Sequence, residues 1–177
     1  MKQAIRLGCI GTGNICTHAH IPQYARLEEY EITALYDISE KNAAAAKEAY
    51  LRQMEAAGRS VLPDSVVICK TVEELFERVD AVDVCTTLKY HSYYAALAVA
   101  RGLHAMSEKP MARTWLEANE VVQSCRRSGA YFQLNDDNLF IPRFLTAKAL
   151  MDGGWIGEIQ SVRIARGTPS SQRAQWF

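Results

Sequence analysis

A chain of 177 residues has room for one domain and the opening of a second. Apolar residues at 49% and charged residues at 23% are ordinary globular usage, enough to build a buried core. Twenty Lys and Arg balance twenty Asp and Glu, so no net field recruits nucleic acid or an anionic membrane, and neither is an expected partner. The five cysteines (Cys9, Cys16, Cys69, Cys85 and Cys125) are widely spaced, form no C-x-x-C pair, and fall mostly in strand-like apolar runs. This pattern predicts reduced, buried thiols of a cytoplasmic protein, not a disulfide frame or a zinc site. No apolar stretch reaches membrane-spanning length. The first apolar run, interrupted by Arg6, flows straight into a glycine turn, as a strand does and a signal peptide does not.

Ala4 to Ile10 predicts a short buried strand running into Gly11-Thr12-Gly13. Residues 14–28 read as a helix, kinked near Pro22. Ile32 to Tyr36 is a second strand, ending at Asp37. Ser39 can cap a long helix whose apolar positions Ala43, Ala46, Tyr50, Met54 and Ala57 recur by three and four until Gly58 stops it. Within an irregular stretch at 59–70, Val66 to Cys69 is a candidate short strand. Thr71-x-x-Glu74 is a capping box that opens a short helix. Ala81 to Cys85, apolar on both faces apart from Asp83, has the character of a central parallel strand. A helix from His91 to Arg101 stops at Gly102, and a strand at 103–106 leads into Ser107-Glu108-Lys109-Pro110. Thr114-x-x-Glu117 is a second capping box, starting a helix with Ala118, Val121, Val122 and Cys125 on one face and Gly129 as its stop. Tyr131 to Leu134 is the next strand.

Strands alternating with helices predict an α/β fold, a Rossmann-type doubly wound parallel sheet over residues 1–135. The pattern then changes. A helix near 142–151 ends at Gly153-Gly154, and residues 159–165 alternate Val162 and Ile164 with Ser161 and Arg163, the period of a one-sided antiparallel strand. Residues 136–177 are therefore expected to open an α+β substrate and oligomerisation domain, broken off after Trp176 and Phe177.

Four groups of residues carry the candidate chemistry. Gly11-x-Gly13, between a strand and a helix, can bring backbone close to a pyrophosphate, with Cys16 where a third small residue usually stands. Asp37 adds an acceptor for the ribose hydroxyls of NAD, or is a solvated turn residue. Thr86 and Thr87 lie where a cofactor's ribose or nicotinamide side would pass, or are turn residues; His91 serves equally as cap, packing or site residue. Lys109, between a carboxylate and a proline at the end of a strand, is held extended so that its side chain can be aimed. His18 and His20 are two apart and do not share a helical face, so no metal is expected. Asp136-Asp137-Asn138 could hold a cation but more often satisfies turn backbone.

These residues together resemble the glucose–fructose oxidoreductase / inositol dehydrogenase (Gfo/Idh/MocA) family. The resemblance rests on Val82-Asp83-Val84-Cys85-Thr86-Thr87, His91, Gly102-Leu103-His104 and Glu108-Lys109-Pro110-Met111-Ala112, with Asp137-Asn138-x-x-x-Pro142 and Gly154-x-Ile156-Gly157-Glu158-Ile159 beyond. It implies that Gly11, Gly13, Asn14 and Ile15 line a pyrophosphate, that Asp37 holds the adenosine ribose, and that Thr86, His91 and Glu108 border the cofactor. Lys109 would be catalytic, at the nicotinamide and substrate. The implied activity is NAD(P)-dependent hydride transfer to or from a sugar, cyclitol or related polyol, with NAD preferred over NADP and a homo-oligomeric full-length form. A non-catalytic dinucleotide-binding regulator and an inactive truncated fragment are the alternatives. Two features depart from the family: Thr87 and Leu88 replace a common proline and asparagine, and members are about twice as long, with an Asp…His pair beyond the point where this chain stops.

Overall fold

The computed structural model describes residues 3–165. Among these residues six strands and six α-helices follow one another: β1 (Ile5–Ile10), α1 (Ile21–Tyr24), β2 (Tyr30–Tyr36), α2 (Glu40–Ala56), β3 (Val67–Ile68), α3 (Val72–Phe76), β4 (Ala81–Val84), α4 (His91–Ala100), β5 (His104–Glu108), α5 (Trp115–Ser128), β6 (Phe132–Asn135) and α6 (Pro142–Asp152). The strands form one sheet in the order β3-β2-β1-β4-β5-β6, and every neighbouring pair is parallel. Chain order reverses between β1 and β4. That is the doubly wound arrangement, with a crevice at its switch point.

Both faces of the sheet are covered, because alternate residues along each strand point to opposite sides. Leu7, Cys9 and Leu35 meet Ile21, Tyr50 and Met54 of α1 and α2 on one face. Ile10, Val82 and Val84 meet Phe76, Ala98 and Val99 of α3 and α4 on the other. Each fully buried aliphatic side chain contributes about 1.5–3 kcal/mol. The caps are those that the sequence predicts: Ser39 Oγ accepts from Asn42 N, Thr71 Oγ1 from Glu74 N, and Thr114 Oγ1 from Glu117 N. Gly129, at φ +74°, takes the left-handed position that ends α5.

Three predicted elements differ. The helix expected over 14–28 is a π-helical turn, Cys16–His20, followed by the single-turn α1. Ile21 N–H bonds to Cys16 O, five residues back, so the irregularity lies in this wide turn, and Pro22 sits harmlessly in the first turn of α1. The strand expected at 103–106 continues through Ser107 and Glu108, because Ser107 pairs with Val84 and Glu108 with Asn135. Residues 159–165 form no strand; their alternation finds no partner among the described residues. Trp176 and Phe177 lie outside the described residues.

The chain divides into two compact units, the sheet and its helices through Asp136 and a second unit from Asp137 onward. The second contains α6, which buries none of its residues and carries a Lys148–Asp152 ion pair. No helix among the described residues is long and apolar enough to cross a membrane.

The end of α1 depends on one side chain. Arg59, just past α2, donates from Nη1 to Tyr24 O, Ala25 O and Leu27 O at 3.3, 3.1 and 2.7 Å. These carbonyls at and beyond a helix end need partners. Replacing Arg59 by Met keeps much of the stem and removes every donor, so urea denaturation of Arg59→Met should show a loss of about 2 kcal/mol or more, the scale of hydrogen bonds to a charged group. An unchanged midpoint would mean that water serves these carbonyls equally well.

Candidate functional site

The carboxyl ends of β1, β2 and β4 open onto a cleft of about 540 Å³. Its floor is the turn after β1. Gly11 has φ +81°, and a Cβ there would lie 2.8 Å from Thr86 N and Cα, so the glycine turn and the loop after β4 touch backbone to backbone. Gly13 also lines the cleft, and a Cβ there would meet nothing within 4 Å. One glycine permits contact between loops; the other leaves space above the turn. A pyrophosphate needs that kind of space.

Asp37, at the end of β2, stands at the edge of the cleft with its carboxylate already oriented. Oδ2 accepts from Thr12 N at 2.7 Å and from the Thr12 hydroxyl at 3.3 Å, while Oδ1 accepts from Ser39 N at 2.8 Å. Tyr36, Tyr90 and Tyr94 add an aromatic wall, with ring centroids 6.4 Å apart for Tyr36–Tyr94 and 6.1 Å for Tyr90–Tyr94. Together with Ile38 they give the cleft an apolar end suited to a flat ring.

The second loop lies at the end of β5. Because Val84 pairs with Ser107, Cys85 just past β4 and Glu108 at the last position of β5 come side by side, and Lys109 follows, exposed, before a cis peptide to Pro110. His91, buried at the start of α4, straps the two loops together: Nδ1 lies 2.8 Å from Pro110 O and Nε2 2.9 Å from Thr86 O. Glu108 accepts from Lys109 N at 3.3 Å through Oε2 and contacts His20 Nε2 at 3.1 Å through Oε1.

Beneath this loop lies a polar cluster. Asp83, fully buried in β4, contacts His20 Nδ1 at 2.6 Å, accepts from the Tyr24 hydroxyl at 2.8 Å, and has the Asn135 amide at 3.5 Å. Burial opposes protonation of His20. The hydrogen bond and charge of Asp83, with the charges of Cys16 and Glu108, outweigh it and push the His20 pKa up to about 9. Burial, then the Asp83 charge, drives the Tyr24 hydroxyl far above its ordinary value, so it acts only as a neutral donor. Hydrogen bonding to Cys16, then burial, raises the thiol pKa of both Cys9 and Cys85. Cys85 Sγ lies 3.4 Å from His20 Nδ1, which makes His20, Asp83 and Cys85 the group among the described residues close enough to share an ion. The 2.6 Å contact between Nδ1 and Asp83 is a direct hydrogen bond, with no room for a metal between the two atoms.

Seven of the predicted site residues therefore line one cleft: Gly11, Gly13, Asn14, Ile15, Asp37, Thr86 and Thr87. His91 and Glu108 do not line it. His91 holds its loops together and Glu108 faces His20. Lys109 sits at the mouth of the neighbouring strand. Sequence reasoning missed the tyrosine wall, which was visible only as scattered aromatics, and His20, whose partners are 63 and 88 residues away.

A family model described as an oxidoreductase family with an NAD-binding Rossmann fold matches residues 5–136. The D-glucoside 3-dehydrogenase of Escherichia coli K12 is 26% identical over 155 residues, covering 88% of this chain and 41% of that protein. The crystal structure of a 3-ketoreductase from Actinomadura kijaniata with NADP and TDP-benzene superposes with a TM-score of 0.69 at 25% identity, covering 89% of this chain and 45% of that one. A scyllo-inositol dehydrogenase from Lactobacillus casei, solved with NAD(H) and scyllo-inositol, shares the fold with a TM-score of 0.71 at 21% identity, over 88% and 43% of the two chains. The chain thus spans less than half the length of the relatives it matches.

The two glycines should separate under mutation. Gly11→Ala drives a methyl into Thr86 backbone at a left-handed φ and should lower both stability and nucleotide binding, whereas Gly13→Ala should melt normally and lose nucleotide affinity alone. Equal melting of the two variants would contradict this. Stability should also depend on His20. Its pKa is raised on folding from about 6.5 to about 9, so its contribution, up to about 3 kcal/mol, is complete below pH 6.5 and lost as pH rises through 9. Denaturation midpoints measured between pH 6 and 10 should fall in wild type and flatten in His20→Asn.

Proposed function

The chain belongs to the Gfo/Idh/MocA family of oxidoreductases, and from that premise we propose that it forms the NAD-preferring half of a dehydrogenase acting on a CH–OH carbon of a sugar, cyclitol or related polyol. The observation that carries the reading is the pre-oriented Asp37 carboxylate beside the open space at Gly13, in one cleft at the switch point of the sheet. When bound, the nicotinamide cofactor supplies or accepts the hydride.

The chain's own residues bind and orient. Gly11, Gly13, Asn14 and Ile15 would border the pyrophosphate, Asp37 would accept from the adenosine ribose hydroxyls, and the tyrosine wall would flank the adenine. Thr86 lies on the nicotinamide side of the cleft. Asp37 is fixed by Thr12 and Ser39 before any ligand arrives, so little rearrangement is needed to receive the diol. The same carboxylate would face a 2′-phosphate as a like charge, at a cost of several kcal/mol. Lys109, with three donors on its ammonium group, would hold the substrate oxygen and stabilise the negative charge that builds on it as its proton passes to solvent. The sugar dehydrogenase among the relatives supports this substrate class.

Titration of the 177-residue chain by nucleotide fluorescence should give tighter binding of NADH than of NADPH. Equal or tighter NADPH binding would remove Asp37 from the ribose. In any longer reading frame that contains this chain, Lys109→Met should lower kcat by 10² or more, the usual contribution of a general acid or base, with NAD affinity within a few-fold of wild type. Near-normal turnover would demote Lys109 to a turn residue.

A further inference from the structure

Lys109 can act at a substrate oxygen only from a fixed starting point, and the contacts that fix its backbone lead away from the cleft. Lys109 N–H donates to Glu108 Oε2, and the other oxygen of that carboxylate meets His20 Nε2 at 3.1 Å. The opposite ring nitrogen, Nδ1, lies 2.6 Å from Asp83 Oδ2. A neutral imidazole carries one N–H and could donate to only one of the two carboxylates; a ring that donates to both must be an imidazolium. On the Asp83 side the oxygen that meets Nδ1 is the one that already accepts from the Tyr24 hydroxyl, so it faces both neighbours as an acceptor.

We propose that His20, as an imidazolium shared between Asp83 and Glu108, is a positioning residue that fixes the Glu108–Lys109 turn and thereby the point from which the Lys109 ammonium works. The proposal rests on the role given to Lys109 above. The groups that face the ring are Asp83 and Cys85 from β4 and its end, Glu108 from β5, Tyr24 from α1, and Cys16 from its own turn. Two carboxylates dominate this set, so the ring's charge is favoured although its side chain is only 16% exposed. Geometry adds a second argument. The π-helical turn ends at His20, on the element that runs from the glycine turn to α1, so one ring ties the cofactor-binding turn to the lysine loop.

The test uses ring and amide nitrogen NMR on the ¹⁵N-labelled 177-residue chain across pH 6 to 10. In wild type, both His20 ring nitrogens should carry protons through pH 8, with a midpoint near 9, and the Lys109 amide should shift with the same midpoint. In Glu108→Ala the His20 midpoint should fall only part of the way, because Asp83 supplies most of the rise, and the Lys109 amide should no longer follow it. In His20→Gln, whose single amide group can serve only one carboxylate, the Lys109 amide should rest near its high-pH wild-type position. Should His20→Gln not fold, the wild-type and Glu108→Ala titrations decide between them. A His20 ring neutral at pH 7, or a Lys109 amide indifferent to its titration, would overturn the proposal. Failure of the Lys109 reading looks different: Lys109→Met would keep turnover while the His20–Lys109 coupling remained.

Discussion

A carboxylate with no solvent exposure, set in the middle of a parallel sheet, governs the arrangement of everything around the cleft. Removing a charged Asp83 from water costs several kcal/mol unless donors replace the water. The donors come from separate parts of the chain: His20 from the π-helical turn, Tyr24 from α1 and Asn135 from β6. Satisfying Asp83 therefore holds α1 against the sheet face that it shares with Cys9 and Cys85. A valine at this position would pack as well and would fasten nothing. No buried side-chain polar atom among the described residues lacks a hydrogen-bond partner, so the network meets its own cost locally.

From this anchor the site is built by loops tied to one another through backbone atoms. Gly11 lets the turn after β1 rest on Thr86, Thr12 N–H fixes Asp37, and His91 joins Thr86 O to Pro110 O. Each tie crosses between carboxyl ends of neighbouring strands, where the fold leaves its crevice. The cleft is thereby set before ligand arrives, and the cost of ordering loops on binding is largely met in folding.

The elements that were legible in the sequence are those written in local chemistry. Ser39, Thr71 and Thr114 announce helix starts because a cap needs a side chain only three residues from its partner. The glycine turn and Asp37 are legible because their spacing follows from one strand, one turn and one strand. What failed was non-local or irregular. The π-helical turn at Cys16–His20 leaves no mark in hydrophobic period, so residues 14–28 read as one helix. The polar Ser107 and Glu108 do not look like strand, yet pairing with β4 and β6 extends β5 through them. Asp83 stood out as the polar exception in an apolar strand, but nothing near it in sequence names His20 as its partner. In the sequence His20 has only His18 as a nearby histidine, two residues away, whereas its contacts lie across the sheet at Asp83 and Glu108.

On the proposed reading, the glycine turn, Asp37 and the loop after β4 act together as one dinucleotide site. Hydrogen–deuterium exchange on the 177-residue chain, with and without saturating NAD, tests it most directly. Binding should slow exchange at residues 12–16, 38–42 and 85–88 together, and leave α6 unchanged. Protection confined to other segments, or none at NAD concentrations that saturate fluorescence, would contradict the account.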